Sequence, residues 1–496
     1  MMNRHKRKGL MWFRADLRTV DNTALSSACS RSDEVHAIFI ATPMQWHEHH
    51  VAPIQIDFIR RRLVVLSEQL AALGIPLSVI EVADFDAVPD AILSFANEQQ
   101  IDHVYCNKQY EWNEIQRDHH VGQCLLNNQI KFSAFDDQCV IPPGDVLTQK
   151  GDPYKVFTPF RREWIKVYRQ KDQAPLPRIE PKQSVSDHSS SVNPVSPLTL
   201  EGLLTLTYPT VDSMAWPVDE EAIRQRLLMF CEDKVRDYHE DRDTPSIDGT
   251  SRLSPYLATG MLSPRQCIAA LQPFFPDGIV EDKQGPFCWL NEIIWREFYR
   301  HLMVAFPAIS RNQPFQPWSR RLPWLSDEAL LAAWQQGRTG FPIVDAAMRQ
   351  LLHTGWMHNR LRMITASFLT KDLLIHWQVG EQWFSRHLID GDLASNNGGW
   401  QWASSTGTDA QPYFRVFNPT TQGEKVDPKG EFIRTWVHEL QDVPDKYIHQ
   451  PHAWPEAVQG NVLLDYPLPI VDHKQARVRA IDIFKTAKEM HQDTAT

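Results

Sequence analysis

The chain has 496 residues, of which 42% are hydrophobic, and its formal net charge at pH 7 is -10. A chain of this length is expected to form two or three domains, and this hydrophobic fraction suffices for buried cores. The acidic excess argues against a protein that coats nucleic acid with a generally basic surface, because phosphate contacts need clustered Lys and Arg.

The N-terminal stretch MMNRHKRKGLMWFRADL is basic, but its apolar run is too short for a signal sequence. No apolar stretch approaches the ~18 residues of a membrane-spanning helix. The seven Cys are scattered and form neither a CxxC pair nor a Cys/His zinc spacing. We therefore expect a cytoplasmic protein with reduced thiols, no membrane partner and no metal site.

Residues 9–141 alternate between strand-like and helix-like patterns, and we assign residues 1–141 to one domain. Its strand-like runs are GLMWF, EVHAIFIAT, PLSVIEV, HVYCN and KFSAFDD. This alternation predicts an α/β fold with a Rossmann-like parallel sheet covered by helices. The turn RADLRTVDN lacks GxGxxG, so this domain is not expected to bind a pyrophosphate in the usual way.

A Pro- and Ser-rich stretch from Lys171 to Tyr208 marks a domain boundary. Beyond it the patterns are helical, and Ser254 and Ser263, each followed by Pro, are predicted N-caps. We assign the rest of the chain to a linker over 142–210, an all-helical domain over 211–475 and a short C-terminal tail over 476–496.

The helical region is rich in Trp, because 12 of the 17 Trp lie within residues 289–454. Residues 289–436 carry 15 Lys plus Arg against 13 Asp plus Glu, which is compatible with a local anion-binding surface. In CWLNEIIWREFYRH, helical spacing puts Glu292 and Trp295 on one face. A carboxylate beside an indole is exposed, paired with nearby Arg296, or buried and protonated.

Two further segments place polar groups together. WMHNRLRMITASFL puts Asn359 and Met363 on one helix face, as either an ordinary amphipathic helix or a binding site would. GTSRLSPYLATG offers hydroxyls and N–H groups from Thr250 to Ser254 directly before a helix, which suits a phosphate cradle or a simple capped loop. Residues 390–409, DGDLASNNGGWQWASSTGTD, contain almost no aliphatic side chains.

Motifs such as GTSRLS, WREFYRH, TGWMHNRLRM and DGDLASNNGGWQWASSTGTD resemble those of the photolyase/cryptochrome family, and the resemblance covers essentially the whole chain. It is nearest to the bacterial class I enzymes that repair cyclobutane pyrimidine dimers. The resemblance implies a light-driven DNA-repair lyase that acts as a monomer on DNA containing pyrimidine dimers. It also implies FAD, active in its reduced anionic form, as the cofactor of the helical domain.

In this family, residues 390–409 wrap around FAD. The resemblance implies that Asn396 faces the reactive ring nitrogen of the flavin, where plant cryptochromes carry Asp and animal ones Cys, so Asn favours repair. An Asn amide is neutral and holds no acidic proton near pH 7. Gly398 and Gly399 are expected to allow close backbone approach to a flat ring. The implied FAD contacts are Tyr238, Thr250, Ser251, Arg252, Leu253, Ser254, Trp289, Glu292, Asn359, Asp390, Gly391, Asp392 and Asn396.

The resemblance also implies a cavity for a pyrimidine dimer flipped out of the duplex. A protonated Glu292 there would donate a hydrogen bond to a base carbonyl that gains charge on reduction. Trp400, Trp377 and Trp324 match the family's electron-transfer chain from the flavin to the surface. The implied lining and rim residues are Arg242, Glu292, Trp295, Asn359, Arg360, Met363, Trp402 and Gln422.

A light-harvesting antenna is implied for the N-terminal domain. His49, Asn113 and Glu114 match positions that bind a folate in the similar bacterial enzymes, so 5,10-methenyltetrahydrofolate is the expected antenna. Those enzymes carry Cys-Lys where this chain has Ser310 and Arg311, which predicts a changed affinity.

Two alternatives stay open at this point, a blue-light receptor that signals through the same flavin and a (6-4) photolyase. The short stretch after the last family motif favours an enzyme over a receptor. A (6-4) enzyme carries two His where Asn359 and Met363 stand, which favours dimer repair. Relatives that prefer single strands usually have Tyr in place of the second pocket Trp, whereas Trp402 is retained.

Overall fold

The structure is a computed structural model that describes residues 6–171, 173–181, 196–199, 206–460, 462 and 464–493. Its first part contains a five-stranded parallel sheet with the strand order β3-β2-β1-β4-β5. These strands coincide with the five strand-like runs of the sequence, so the predicted α/β fold is confirmed. Their bounds are β1 Lys8–Phe13, β2 Glu34–Ala41, β3 Leu77–Glu81, β4 His103–Asn107 and β5 Lys131–Phe135.

Both faces of the sheet are buried, which explains its nearly continuous apolar strands. In β1, Met11 and Phe13 face one hydrophobic core, whereas Leu10 and Trp12 face another. This is the alternation of side chains that an extended backbone imposes. The helices of this part are Thr23–Arg31, Pro43–Glu48, Pro53–Ala72, Val88–Gln99 and Trp112–Asn127.

The rest of the described chain is built from helices, as predicted, and none of the described helices is long and apolar enough to cross a membrane. The α-helices are Phe157–Tyr168, Glu220–Met229, Tyr238–Asp241, Ser254–Ala258, Pro264–Leu271, Gly285–Ala305, Glu328–Gln335, Pro342–Thr354, Asn359–Ser367, Trp377–Ser385, Leu393–Ala403, Pro419–Val426, Glu431–Trp436, Pro455–Val458 and His473–Asp493. Two π-helical turns cover Phe230–Lys234 and Phe368–Asp372. Short 3-10 turns cover Phe85–Ala87, Gln272–Phe274, Ile309–Arg311, Pro317–Arg321, His438–Leu440, Asp445–Tyr447 and Pro451–Ala453.

The two predicted N-caps differ. Ser263 caps its helix in a capping box with Gln266, as expected. The prediction for Ser254 is wrong, because Ser254 is the first residue of its helix and its hydroxyl accepts from the Trp356 indole at 3.4 Å instead. Two helices also lie where a linker and a tail are predicted. They are Phe157–Tyr168 and most of His473–Asp493.

A buried ion-pair network joins the sheet-containing part to the helical part. Arg265 donates to Asp21 at 2.9 Å and to Asp137 at 2.6 Å. Arg18 donates to the other oxygen of Asp137, and the Ser263 hydroxyl donates to Asp21. All five side chains are buried. Burial alone would raise the pKa of Asp137, but Arg18 and Arg265 outweigh burial and hold that pKa at about 2.

We expect Asp137→Asn to lower the free energy of unfolding at neutral pH by about 3 kcal/mol, because the loss of one partner leaves buried Arg charges uncompensated. Since the folded-state pKa of Asp137 is lowered, the carboxylate stabilises the fold above its unfolded pKa of about 4. This contribution is lost as the pH falls toward about 2. Urea titrations at neutral and at acidic pH measure both effects.

The matched control is Asp445→Asn, which breaks a pair with Arg434 in which the Asp side chain is 64% exposed. Such an exposed pair contributes less than about 1 kcal/mol. Equal losses in the two variants would contradict a special role for the buried network.

Candidate functional site

Asp392 lies at a charged helix start. It caps the Leu393–Ala403 helix by accepting from the Ser395 amide at 3.3 Å. Arg300 donates to its other oxygen at 2.9 Å. Burial would raise the pKa of Asp392, but Arg300 and Arg296 bring it below the ordinary value. Asp392 is therefore a carboxylate at neutral pH.

Asp390 is a second buried carboxylate of the same loop. Its Oδ2 accepts from Arg362 at 2.7 Å, whereas its buried Oδ1 has no partner among the described residues. From the sheet-containing part, Gln55 donates to the carbonyl oxygens of Gly391 at 2.8 Å and Ile389 at 3.1 Å. The loop is thus fixed from both parts of the molecule, and one acceptor of Asp390 stays open.

The amide of Asn396 has a fixed orientation. Its Nδ2 donates to the Glu381 carbonyl oxygen and to the Ser385 hydroxyl, both at 3.0 Å. A backbone carbonyl can only accept, so the nitrogen must point toward Glu381 and the Oδ1 is left as an acceptor on the other side. Burial raises the pKa of the Glu381 carboxyl to about 7, although a hydrogen bond from Asn397 lowers it.

The segment Thr250–Ser254 forms a loop that enters the short Ser254–Ala258 helix. Arg252 has a φ of 50°, in the left-handed region, and pairs with Asp248 at 3.4 Å. Its guanidinium lies 5.3 Å from the centre of the Trp356 ring. The loop therefore offers a cation, hydroxyls and backbone N–H groups together, which is the chemistry that an anionic ligand requires.

Tyr238 and Trp289 lie close to each other in the buried core. Both rings contact Phe230, at centroid distances of 5.8 Å and 4.9 Å. Both side chains are less than one-tenth exposed. Only a small part of each side chain is therefore accessible to a ligand.

Glu292 is paired, but not with the residue that helical spacing suggests. Its carboxylate accepts from Arg242 at 2.7 Å, whereas Arg296 donates to the carbonyl oxygens of Gln138 and Leu257. Burial raises the pKa of Glu292, although Arg242 lowers it. The side chain is 35% exposed, so its carboxyl is only partly withdrawn from water until something covers it.

The predicted dimer-cavity residues differ in exposure. Trp295 is half-buried, and one face of its indole stacks on Phe157 at 3.7 Å with an interplanar angle of 8°. Arg360 pairs with Asp243 at 2.6 Å. Asn359 is exposed at the start of its helix, and the half-buried predicted residues are Met363, Trp402 and Gln422.

The two glycines of this region have different surroundings. A Cβ on Gly398 would lie 2.2 Å from the ring of Tyr299, so this glycine allows the Leu393–Ala403 helix to approach another side chain of the protein. A Cβ on Gly399 would meet nothing within 4 Å. The structure thus gives Gly398 a packing role.

The three predicted electron-transfer tryptophans lie in one hydrophobic cluster. Trp400 and Trp377 are buried, and Trp324 is half-buried at the edge of the cluster. The imidazole of His376 contacts Trp324 at 5.2 Å and Trp377 at 5.8 Å. Trp400 contacts Trp334 at 6.1 Å.

A cavity of about 350 Å³ lies between the two parts of the molecule. Its wall includes the predicted antenna residues His49, Asn113 and Glu114, and also Asp392 of the helical part. His49 Nε2 lies 2.9 Å from the Asn113 amide nitrogen, and His49 Nδ1 lies 3.6 Å from Glu114. Burial, and to a lesser extent the charges of Glu114 and Asp392, raise the pKa of Glu111 to about 7.

Several residues of the site are not predicted as site residues from the sequence. Glu381 and Ser385 orient Asn396, Arg300 and Arg362 neutralise the two aspartates, and Gln55 holds the loop. The sequence does carry a signal for Glu381 and Ser385, because their i and i+4 spacing puts both side chains on one face of a helix. The partners of Gln55 lie more than 300 positions away, so no local pattern could reveal them.

Comparison with known proteins identifies the family of the chain. The family model for the FAD binding domain of DNA photolyase matches residues 289–486, and the model for DNA photolyase matches residues 9–181. The deoxyribodipyrimidine photo-lyases of Vibrio cholerae and Escherichia coli K12 are each 50% identical to the chain, over 97% of it and 99% of the relative. The chain belongs to the photolyase/cryptochrome family.

Solved photolyase structures have the same overall fold. A class III photolyase from Agrobacterium tumefaciens is 32% identical with a TM-score of 0.79, and 98% of each chain is covered. A Sulfolobus tokodaii photolyase with two FAD molecules is 31% identical with a TM-score of 0.79, over 97% of this chain and 100% of that one. FAD is thus the cofactor of this photolyase-family chain, as predicted.

We expect Arg362→Gln to reduce the FAD content of the purified protein. The variant leaves Asp390, whose side chain is 3% exposed, without its counter-charge. The cost to the free energy of unfolding is about 3 kcal/mol. The ratio of flavin to protein absorbance and a urea titration measure the two effects. The control is Arg434→Gln, because Arg434 has a similar exposure of 23% but pairs with an exposed Asp. An equal loss of FAD in Arg434→Gln would refute the assignment of the Arg362–Asp390 pair to the FAD site.

Proposed function

We propose that the chain is a light-driven DNA-repair enzyme, a deoxyribodipyrimidine photo-lyase that splits cyclobutane pyrimidine dimers. The observation that carries this proposal is the fixed amide of Asn396, which turns a neutral acceptor away from Glu381. A neutral amide beside a flavin supplies no acidic proton, which suits a reduced anionic flavin. Full-length identity of 50% to enzymes of this name supports the same function.

The residues of the helical part fit FAD. The open oxygen of Asp390 accepts from ligand hydroxyl or N–H groups, and Thr250–Ser254 meets the phosphates. Tyr238, Trp289 and Asp392 complete the predicted pocket. When bound and reduced, FAD would supply after light absorption an electron that splits the dimer into two pyrimidines, and the electron would then return to the flavin, so that no net redox change results. The protein residues set the position and the electrostatic surroundings of this chemistry.

The dimer is held by the residues around Glu292. A dimer stacks and pairs poorly, so it costs less to flip out of the duplex than a normal base does. Trp295 and Trp402 form apolar walls for it, Arg360 lines the same cavity, and Arg242 and Gln422 meet the DNA at the rim. When substrate covers the half-open carboxyl of Glu292, further burial favours the protonated acid, which donates to a base carbonyl.

The interdomain cavity is the proposed site of a folate antenna. His49, Asn113 and Glu114 stand together in its wall, and carboxyl and amide groups suit the N–H donors of a pterin ring. Asp392 lies in the same wall, which would place the antenna beside the FAD loop.

We also infer that the protein works as a monomer in the cytoplasm. No Cys of the described residues forms a disulfide, which suits a reducing compartment.

The function is tested with the purified, FAD-loaded protein and an oligonucleotide that contains one thymine dimer. Blue light should restore intact thymines in proportion to the absorbed photons, with no repair in the dark. Glu292→Gln should keep its FAD and repair less per photon, since the amide donates a hydrogen bond but cannot release a proton. Light-dependent repair of a (6-4) photoproduct in place of the dimer, or no repair at all, would overturn the proposal.

The tryptophan chain is tested separately from repair. Because Trp400, Trp377 and Trp324 serve to reduce oxidised FAD, Trp324→Phe should slow its photoreduction with an external thiol. Repair by enzyme that was reduced chemically beforehand should stay near normal. The control is Trp318→Phe, since Trp318 contacts Phe484 beside Trp324 but lies outside the proposed chain. Unchanged photoreduction in Trp324→Phe would mean that the electron enters by another route.

A further inference from the structure

The wall of the interdomain cavity includes Trp112, whose indole contacts the side chain of Arg311. The repair reaction uses neither side chain. Trp112 lines the cavity as the first residue of the Trp112–Asn127 helix. Its backbone amide donates to the Ser310 hydroxyl at 3.2 Å. The guanidinium of Arg311 lies 5.0 Å from the centre of its indole ring. Ser310 and Arg311 thus act on Trp112 from the opposite part of the molecule.

This contact orients the indole. Arg311 is exposed and forms no ion pair within the described part of the chain, so the ring is its principal contact. Asn312 follows with a φ of 60° and also lines the cavity. No aromatic ring of the described residues stacks on the other face of the Trp112 indole. A half-buried indole that is held on one face and open toward a cavity is a surface on which a flat ring can stack.

The hydrogen-bonding groups beside Trp112 define the ring that would fit. Glu111 and Glu114 flank it at the start of the helix, and both line the cavity. Burial raises the pKa of each carboxyl, that of Glu111 to about 7. Carboxyl groups accept from ring N–H and amino groups when ionised and donate to ring nitrogens or carbonyls when protonated. The site is therefore suited to a flat heteroaromatic ring with both kinds of group.

We propose that Trp112, held by Arg311 and Ser310, is the stacking platform of the antenna site and determines which flat heteroaromatic chromophore this chain takes. The inference rests on the antenna site proposed above. Trp112 touches the chromophore, whereas Arg311 and Ser310 are positioning residues that act through Trp112.

The test is a titration of the full-length, FAD-loaded protein with 5,10-methenyltetrahydrofolate in the dark. Trp112→Val should weaken binding several-fold and return the absorption maximum of the bound folate toward that of the free compound, because stacking on the indole is lost. Trp112→Phe should recover most of both properties. Arg311→Ala should cause a smaller loss. The matched control is Arg320→Ala, which removes an exposed guanidinium bonded to Gln313 on the neighbouring turn and should change neither property.

Thermal unfolding of each variant separates a loss of stacking from a loss of fold, and Arg311→Ala keeps the test valid if Trp112→Val does not fold. The titration is repeated with FMN, which provides a second flat ring. A wild-type protein that binds neither compound would overturn the antenna proposal together with this inference. If Trp112→Val binds the folate with the same Kd and the same spectrum as the wild-type protein, the stacking platform alone is overturned. Both results leave the repair function to its own test.

Discussion

Two aspartates with no access to water, Asp21 and Asp137, fix the helical part against the parallel sheet. Arg265 reaches both of them, and Arg18 completes the set from the sheet side. Buried charges of this kind persist only when each has a partner, so the pairing permits one arrangement of the two parts. The cavity between the parts and the contacts of Gln55 with the 390–392 loop both depend on that arrangement.

The loop at residues 390–392 shows the same principle in the proposed FAD site. Asp390 and Asp392 are balanced by Arg362 and Arg300, and one oxygen of Asp390 is left without a protein partner. In a low-dielectric interior, an unpaired acceptor is costly, and a ligand that supplies a donor regains this cost. The site is therefore held in shape by paired charges and given affinity by the acceptor that is not paired.

Two carboxyl groups with raised pKa values, those of Glu111 and Glu381, line the cavity between the two parts of the molecule. Burial brings Glu111 and Glu381 to pKa values of about 7, and the charge of Asp392 acts on Glu111. Near neutral pH each of these groups is present both as an acid and as a carboxylate. The wall of this cavity can thus take up or release a proton near neutral pH, and a ligand bound in the cavity would shift that balance.

The sequence by itself determined the sheet and the helical region, and it holds the proposed FAD loop in a single stretch. Strand runs such as that of β1 follow from local apolar patterning, and residues 390–409 lie within one continuous segment. The family follows from such motifs as well. The bounds of the predicted linker and tail are less well defined by pattern. The Phe157–Tyr168 helix packs against the Gly285–Ala305 helix, and most of the stability of a protein helix comes from such tertiary packing.

Only the tertiary structure decided which partner each charged side chain takes. Helical spacing suggests Arg296 for Glu292, yet Arg242, from a loop 50 positions away, forms the pair. The same holds for Gly398, which packs on Tyr299, and for Trp112, which is supported by Arg311 from 199 positions further along the chain. Local sequence fixes the periodicity of side chains along one element, whereas ion pairs and ring contacts depend on how distant elements approach, which is set by the packing of the whole core.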